Sequence, residues 1–301
     1  MSEAGKFKEV PLVLGTAQLG MPYGIANATG QPDQVAADEI VGAAWEHGIR
    51  EYDTAQGYGV SELVLGHALA TNACAGLARV TTKLGPEVQL DRDSVFRAVD
   101  SSIERLGVAG LEAVLFHCEG VIDAWTPALA LICRELVAGG KTRRVGVSVY
   151  APDAAMRAIC LDGVDVLQGP ASVLDRRLEA AGVFELARER GCLVYLRSVF
   201  VQGLLLMSPD ELPPNMRFAE RVLRRVASVA EDLGVTRREL ALGYLRQKGY
   251  GRVVFGAEST EQVRENVATW RGDPVTGVVD VVERDLRDID EEIIRPDRWP
   301  K

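Results

Sequence analysis

The chain has 301 residues, 47% of them hydrophobic, and carries a net charge of −9. That length suits one large α/β domain with a substantial buried core, and an acidic chain without a basic stripe argues against a nucleic-acid partner. No N-terminal apolar stretch has the form of a signal peptide and no run approaches the ~20 apolar residues that cross a bilayer, so a cytoplasmic protein without a membrane partner is expected.

In chain order the pattern alternates strand and helix. Short apolar runs predict strands over 12–14, 50–53, 79–82, 113–116, 145–149, 164–168, 192–196 and 252–255. Helical patterns fall between them, over 34–46, 61–69, 92–106, 124–138, 152–160, 177–190, 219–233, 237–247 and 260–269. In the third of these, Val95, Val99, Ile103 and Leu106 share one face while Arg97, Asp100 and Glu104 turn outward. Ser61 with Glu62 signals a helix start, and Gly48, Gly107 and Gly191 signal helix ends. Continuous apolar strands joined by amphipathic helices imply a parallel sheet covered by helices. Eight such units in one domain over 1–301 fit a (β/α)8 TIM barrel.

Three connections exceed what a barrel needs: 18–32, 200–217, and the tail after Ile293 with Pro296, Trp299 and Pro300. The first two leave strand C-termini, so they are expected as long rim loops at the C-terminal face, walling a pocket. Met21, Tyr23 and Trp299 are candidates for that wall, with ordinary packing as the competing reading. The five cysteines are scattered, odd in number and without metal-ligand spacing. Reduced thiols and no metal are therefore expected.

Asp53, Tyr58, Lys83 and His117 each stand at or just past a strand C-terminus, so a barrel gathers them on one rim. Singly, each has a bland reading: a turn aspartate, a core aromatic, a strand-end charge, a packed histidine. Together they suit carbonyl reduction, where negative charge develops on oxygen and needs a proton and a positive environment. A tyrosine with pKa near ~10 titrates poorly at neutral pH, and a nearby ammonium lowers that value. Tyr58 is then the general acid, Lys83 tunes it, Asp53 orients Lys83, and His117 polarises the carbonyl.

The run Asp53-Thr54-Ala55, Tyr58-Gly59 and Ser61-Glu62, with strand-ending Lys83 and His117, resembles the aldo-keto reductases. The resemblance runs through nearly the whole chain and implies a (β/α)8 barrel, NADPH or NADH as cofactor, no metal, and reversible reduction of an aldehyde or ketone. It further implies cofactor contacts from Gly15 and Thr16, from Ser148 and Gln168 to the nicotinamide carboxamide, from Arg197 and Ser198 after the seventh strand, and from Gly256, Glu258, Gln262 and Asn266. Met21 and Tyr23 become candidate substrate contacts.

The chain departs from the family pattern. Val149 follows Ser148 where Asn is usual. Arg197 stands where an aromatic residue often stacks on nicotinamide, and a planar guanidinium can stack as well. Arg197 and Gln202 are also candidates to hydrogen-bond hydroxyls or a carboxylate. Glu258 and Gln262 stand where basic residues hold the 2′-phosphate of NADP(H); a carboxylate repels that phosphate and accepts from a free ribose hydroxyl, so use of NADH is expected.

The expected function is reversible reduction of a small carbonyl compound, with a sugar or cyclitol derivative as one candidate substrate. The competing readings are a cofactor-binding regulatory subunit with little turnover and a barrel lyase or isomerase whose Lys83 forms a Schiff base. Monomer and homo-oligomer both remain open.

Overall fold

The computed structural model describes residues 9–299. Its strands are β1 (Leu12–Gly15), β2 (Glu51–Asp53), β3 (Arg79–Leu84), β4 (Ala113–Phe116), β5 (Val145–Ser148), β6 (Val166–Pro170), β7 (Leu193–Arg197) and β8 (Arg252–Gly256). They pair in parallel in sequence order and close when β1 also pairs with β8, Leu14 opposite Phe255 and Gly15 opposite Gly256. The barrel expected from the alternation is therefore present, with each strand within two residues of its expected bounds.

Side chains alternate across each strand. Val13, Ala113, Leu115, Val166, Tyr195 and Val254 form one small buried cluster, which fills the barrel. Leu14, Val80, Val114 and Phe116 join the larger cluster with helix residues such as Val95, Val99 and Leu136, which is the layer between sheet and helices. At the N-terminal end, Glu51 is 5% exposed and accepts from Arg79 Nε at 3.1 Å and from Tyr195 Oη at 2.9 Å. Arg252 also pairs with Glu51. This end is closed by buried charge.

The helices differ from expectation where local chemistry intervenes. The segment 177–190 is two pieces, Arg177–Ala180 and Val183–Arg190, because Gly182 between them takes φ +75° and breaks the ladder. The helix expected from 124 begins at Pro127, with Thr126 Oγ1 accepting from Leu129 N at 3.2 Å. Ser61 starts Ser61–Thr71 but does not cap it; its hydroxyl donates to Thr16 O at 2.7 Å. Gly107 and Gly191 close their helices in the left-handed region, as expected. Three α-helical segments among the described residues escaped the sequence pattern: Val278–Asp285 and the short turns Ala17–Gly20 and Glu291–Ile294. No helix among the described residues is long and apolar enough to cross a membrane.

Candidate active site

The C-terminal ends of the strands surround a cavity of ≈ 760 Å³, within the usual range for small-molecule sites. Asp53 ends β2 and Lys83 lies near the end of β3, so the barrel itself sets their distance. Lys83 Nζ donates to Asp53 Oδ2 at 2.6 Å and to Thr54 O at 2.8 Å, with the lysine fully buried. Gln168 Nε2 donates to the other carboxylate oxygen of Asp53 at 2.7 Å. The buried charge is thus paired and hydrogen-bonded on both oxygens, which is what burial of an ion pair demands.

Tyr58 sits on the β2 loop above this pair. Its position is fixed by backbone bonds, Gln56 N to Lys83 O at 3.1 Å and Ser61 N to Tyr58 O at 3.0 Å. Below, Ser61 Oγ lies 2.8 Å from Thr16 Oγ1 and 3.0 Å from Thr54 Oγ1, tying the loop to the ends of β1 and β2. The turn Ala17–Gly20 presses against it: a Cβ on Gly20 would lie 1.9 Å from Tyr58 O. Lys83 Nζ stands 4.8 Å from the centre of the Tyr58 ring. His117, whose backbone N donates to Leu84 O at 3.0 Å, meets that ring edge-on at 5.6 Å between centroids. The four residues are therefore together on one rim.

The electrostatics differ from expectation. Burial, reinforced by Asp53, holds the Tyr58 phenol well above its ordinary value, and the cation that lowers it is Arg197. The ammonium of Lys83 lies over the ring and is already neutralised by Asp53, so desolvation wins. Tyr58 rests protonated. Burial, then Lys83 and Arg197, depress His117 from 6.5 to about 4, so its imidazole is neutral near pH 7. Burial also lowers Lys83, opposed by Asp53. Lys83 does not line the cavity, and a Schiff base needs an accessible neutral amine, which removes the support for that reading.

The remaining candidates divide. Gly15, Thr16, Ser148, Arg197, Ser198, Gly256, Glu258, Gln262, Asn266 and Tyr23 all line the cavity. Met21 does not, nor does Trp299, whose indole donates to Glu292 O at 2.9 Å; Pro300 lies outside the described residues. Gln168 lies beneath the cavity floor, opposite Ser148 in the β5–β6 register. Arg197 lies at the cavity with its guanidinium stacked on Tyr150, 3.8 Å from the ring centre, and donates to Val149 O at 3.0 Å. Glu119, next to the tetrad in sequence, accepts from Ala151 N at 2.7 Å and so caps a helix start.

Sequence reasoning missed Arg238, which lines the cavity from Arg237–Lys248 and donates to Asn266 Oδ1 at 2.5 Å. Its only sequence signal was one of several Arg-Arg pairs. It also missed how the rim loops meet. Ser198, Val201 and Gln202 take φ of +60°, +49° and +55°, a strained run for non-glycine residues. Gln202 O accepts from Ile25 N at 3.1 Å, so the β7 loop and the β1 loop join across the cavity.

The cavity fits a nicotinamide dinucleotide. Gln168 Oε1 is buried without a partner among the described residues, beside Ser148 at the floor. A carboxamide N–H would satisfy that orphan acceptor. At the other end the helix Thr260–Arg271 opens with Ser259 as N-cap, a ready site for phosphate oxygens.

The model of the aldo/keto reductase family matches residues 11–275. Among curated proteins, the NADH-specific methylglyoxal reductase of Escherichia coli (strain K12) is 28% identical over 270 residues, 78% of this chain and 82% of that one. The D-threo-aldose 1-dehydrogenase of a Pseudomonas sp is 26% identical over 299 residues, 84% of this chain and 89% of that one. Among solved structures, an aldo-keto reductase from Bacillus halodurans in its holo form aligns with a TM-score of 0.76 at 24% identity, covering 94% of this chain and 95% of that one. The closed parallel barrel and the rim tetrad thus coincide with a family match over most of the chain, and this protein, an oxidoreductase, belongs to the aldo/keto reductase family.

Proposed function

We propose that the protein reduces a small aldehyde or ketone to an alcohol, reversibly, with Tyr58 as general acid and NADH as the favoured cofactor. The observation that carries this reading is the buried Lys83–Asp53 pair at 2.6 Å directly under the Tyr58 ring, with His117 against the same ring. When bound, the nicotinamide supplies the hydride. Everything else falls to the chain. Tyr58, protonated at rest, gives its proton to the carbonyl oxygen as charge builds there. Arg197 is the cation whose charge favours the phenolate left behind, while Lys83, fixed against the ring by its bonds to Asp53 and Thr54, holds the floor of the site in place. His117, neutral near pH 7, donates one N–H to the same oxygen and aligns the carbonyl. Asp53 keeps Lys83 charged and in place.

The cofactor preference rests on the rim after β8. Glu258 is half-buried at the cavity wall, and its backbone N donates to Gln262 Oε1 at 2.9 Å. Burial raises the Glu258 carboxyl above its usual range, yet it remains an acceptor suited to a free ribose hydroxyl and unsuited to a phosphate. Arg238, a cation on the same cavity wall, is engaged by Glu265 at 2.5 Å.

The test is consumption of NADH and NADPH with a panel of small aldehydes and aldoses, for the wild type and Glu258→Arg. The wild type is expected to favour NADH. Glu258→Arg should move the NADPH to NADH ratio of kcat/KM upward by about tenfold or more, the worth of one charge-assisted bond. An unchanged ratio would mean Glu258 does not face the ribose. Tight cofactor binding without turnover of any carbonyl would favour the regulatory-subunit reading.

A further inference from the structure

Arg197 is the charged residue at the tetrad end of the cavity whose neighbours do not explain it. Lys83 and Asp53 neutralise each other there, and further along the wall Arg238 is held by Glu265. Arg197 is partly exposed, lines the cavity, and forms no ion pair among the described residues. Its guanidinium is nevertheless held firmly. One terminal nitrogen donates to Val149 O at 3.0 Å, the other to Ser198 Oγ at 3.2 Å, and the plane lies on Tyr150. A guanidinium has five N–H donors in a fixed fork. Two are spent on positioning, which leaves donors for a ligand on an already ordered group.

The direction of the side chain matters. β7 pairs with β6 and β8. From the end of β7, Arg197 reaches back past β6 to the end of β5, where Val149 and Tyr150 lie. It therefore turns away from Glu258, Gln262 and the helix start after β8, where the phosphates of a dinucleotide would lie. It turns toward the half of the cavity that holds Tyr58 and His117, and its charge is felt at both, as well as at Tyr23.

We propose that Arg197 is a substrate-binding residue and that the preferred substrate is a short carbonyl compound bearing a carboxylate. The planar fork matches the two oxygens of a carboxylate, and an aldehyde or ketone a few bonds away then reaches Tyr58 and His117. The inference rests on the reductase reading and adds the charge class of its substrate. In an acidic protein of net charge −9, an unpaired cation inside the cavity also draws such an anion in against the overall repulsion.

The experiment compares two aldehydes of equal length, succinic semialdehyde and butanal, with NADH, in the wild type, Arg197→Met and Arg197→Lys. For Arg197→Met, kcat/KM for succinic semialdehyde should fall by about 10- to 100-fold through KM, the range for loss of charge-assisted hydrogen bonds. Butanal also feels the loss of a charge that acts on Tyr58 and His117, so the readout is the ratio of the two aldehydes' kcat/KM, which should fall by about tenfold or more, while the Kd for NADH, read by fluorescence, should hold. Arg197→Lys, which keeps the charge and loses the fork, should fall between. An unchanged ratio between the two aldehydes, or a weakened Kd for NADH, would overturn the proposal and make Arg197 a catalytic, cofactor or structural residue. A wild type that prefers butanal would also overturn it while leaving the reductase reading intact. Failure to reduce either aldehyde or any other carbonyl compound would instead fell the reductase reading.

Discussion

His117 shows how burial sets chemistry at a single residue. Packed edge-on against Tyr58 and facing the cations Lys83 and Arg197, its imidazole is pushed from 6.5 to about 4. The charged form is disfavoured in the folded state, so the unfolded chain binds this proton first. Stability from this group is present above pH 6.5 and is lost as pH falls from 6.5 toward 4. His117→Gln should therefore show a shallower loss of stability than the wild type over that window, measured by urea midpoints at several pH values. Parallel slopes would mean the histidine titrates as if exposed. At this scale the tetrad was readable because each member has distinctive chemistry at a strand end. The balance of charges was not. The sequence pointed to Lys83 as the cation that lowers the Tyr58 phenol, but that effect depends on where Nζ sits relative to the hydroxyl and on Asp53 neutralising it.

At the scale of elements, the site depends on a turn that the sequence pattern gave no reason to expect. Ala17–Gly20 is one helical turn after β1, too short to show periodicity, yet it backs the loop that carries Tyr58. Gly20 permits the approach, since a Cβ there would meet Tyr58 O at 1.9 Å and Ser61 N at 2.4 Å. Both atoms are backbone, so the loop itself must move. Gly20→Ala should destabilise by roughly 1–3 kcal/mol through overpacking. It should lower kcat by about tenfold or more, because small misplacement of a reacting group is costly. The Kd for NADH should change by less than about threefold; a variant with unaltered kcat would show that Tyr58 tolerates the shift. Helices with clear apolar stripes were legible in advance, as Arg92–Leu106 illustrates. Val278–Asp285 was not: its run of valines is poor helix material, and only packing of Val278 and Val282 against the core selects that conformation.

Across the whole molecule the two ends of the barrel divide stability from chemistry. The N-terminal end is closed by Glu51 with Arg79, Arg252 and Tyr195, while the catalytic candidates gather at the other. Glu51→Ala removes the shared acceptor of Arg252, of the buried Tyr195 phenol and of Arg79, which keeps only Glu9. Its cost should be about 3 kcal/mol in unfolding free energy. At a temperature where the variant stays folded, kcat should stay within about twofold of wild type; a large loss of kcat would mean the ends are coupled. The barrel was legible from strand and helix alternation because each strand is buried on both faces and reads as continuous apolar sequence. The meeting of the β1 and β7 loops was not, since it depends on left-handed residues such as Val201 that no propensity favours.

The central claim is that Tyr58 delivers the proton in a carbonyl reduction. Its most direct test is Tyr58→Phe, assayed for turnover of a small aldehyde with NADH and, separately, for NADH binding by fluorescence. The ring and its contacts with Lys83 and His117 remain, and only the hydroxyl is lost. The account predicts that kcat falls by about 10²- to 10⁴-fold, the usual worth of a general acid, while the Kd for NADH changes little. A variant that turns over at close to the wild-type rate would contradict it.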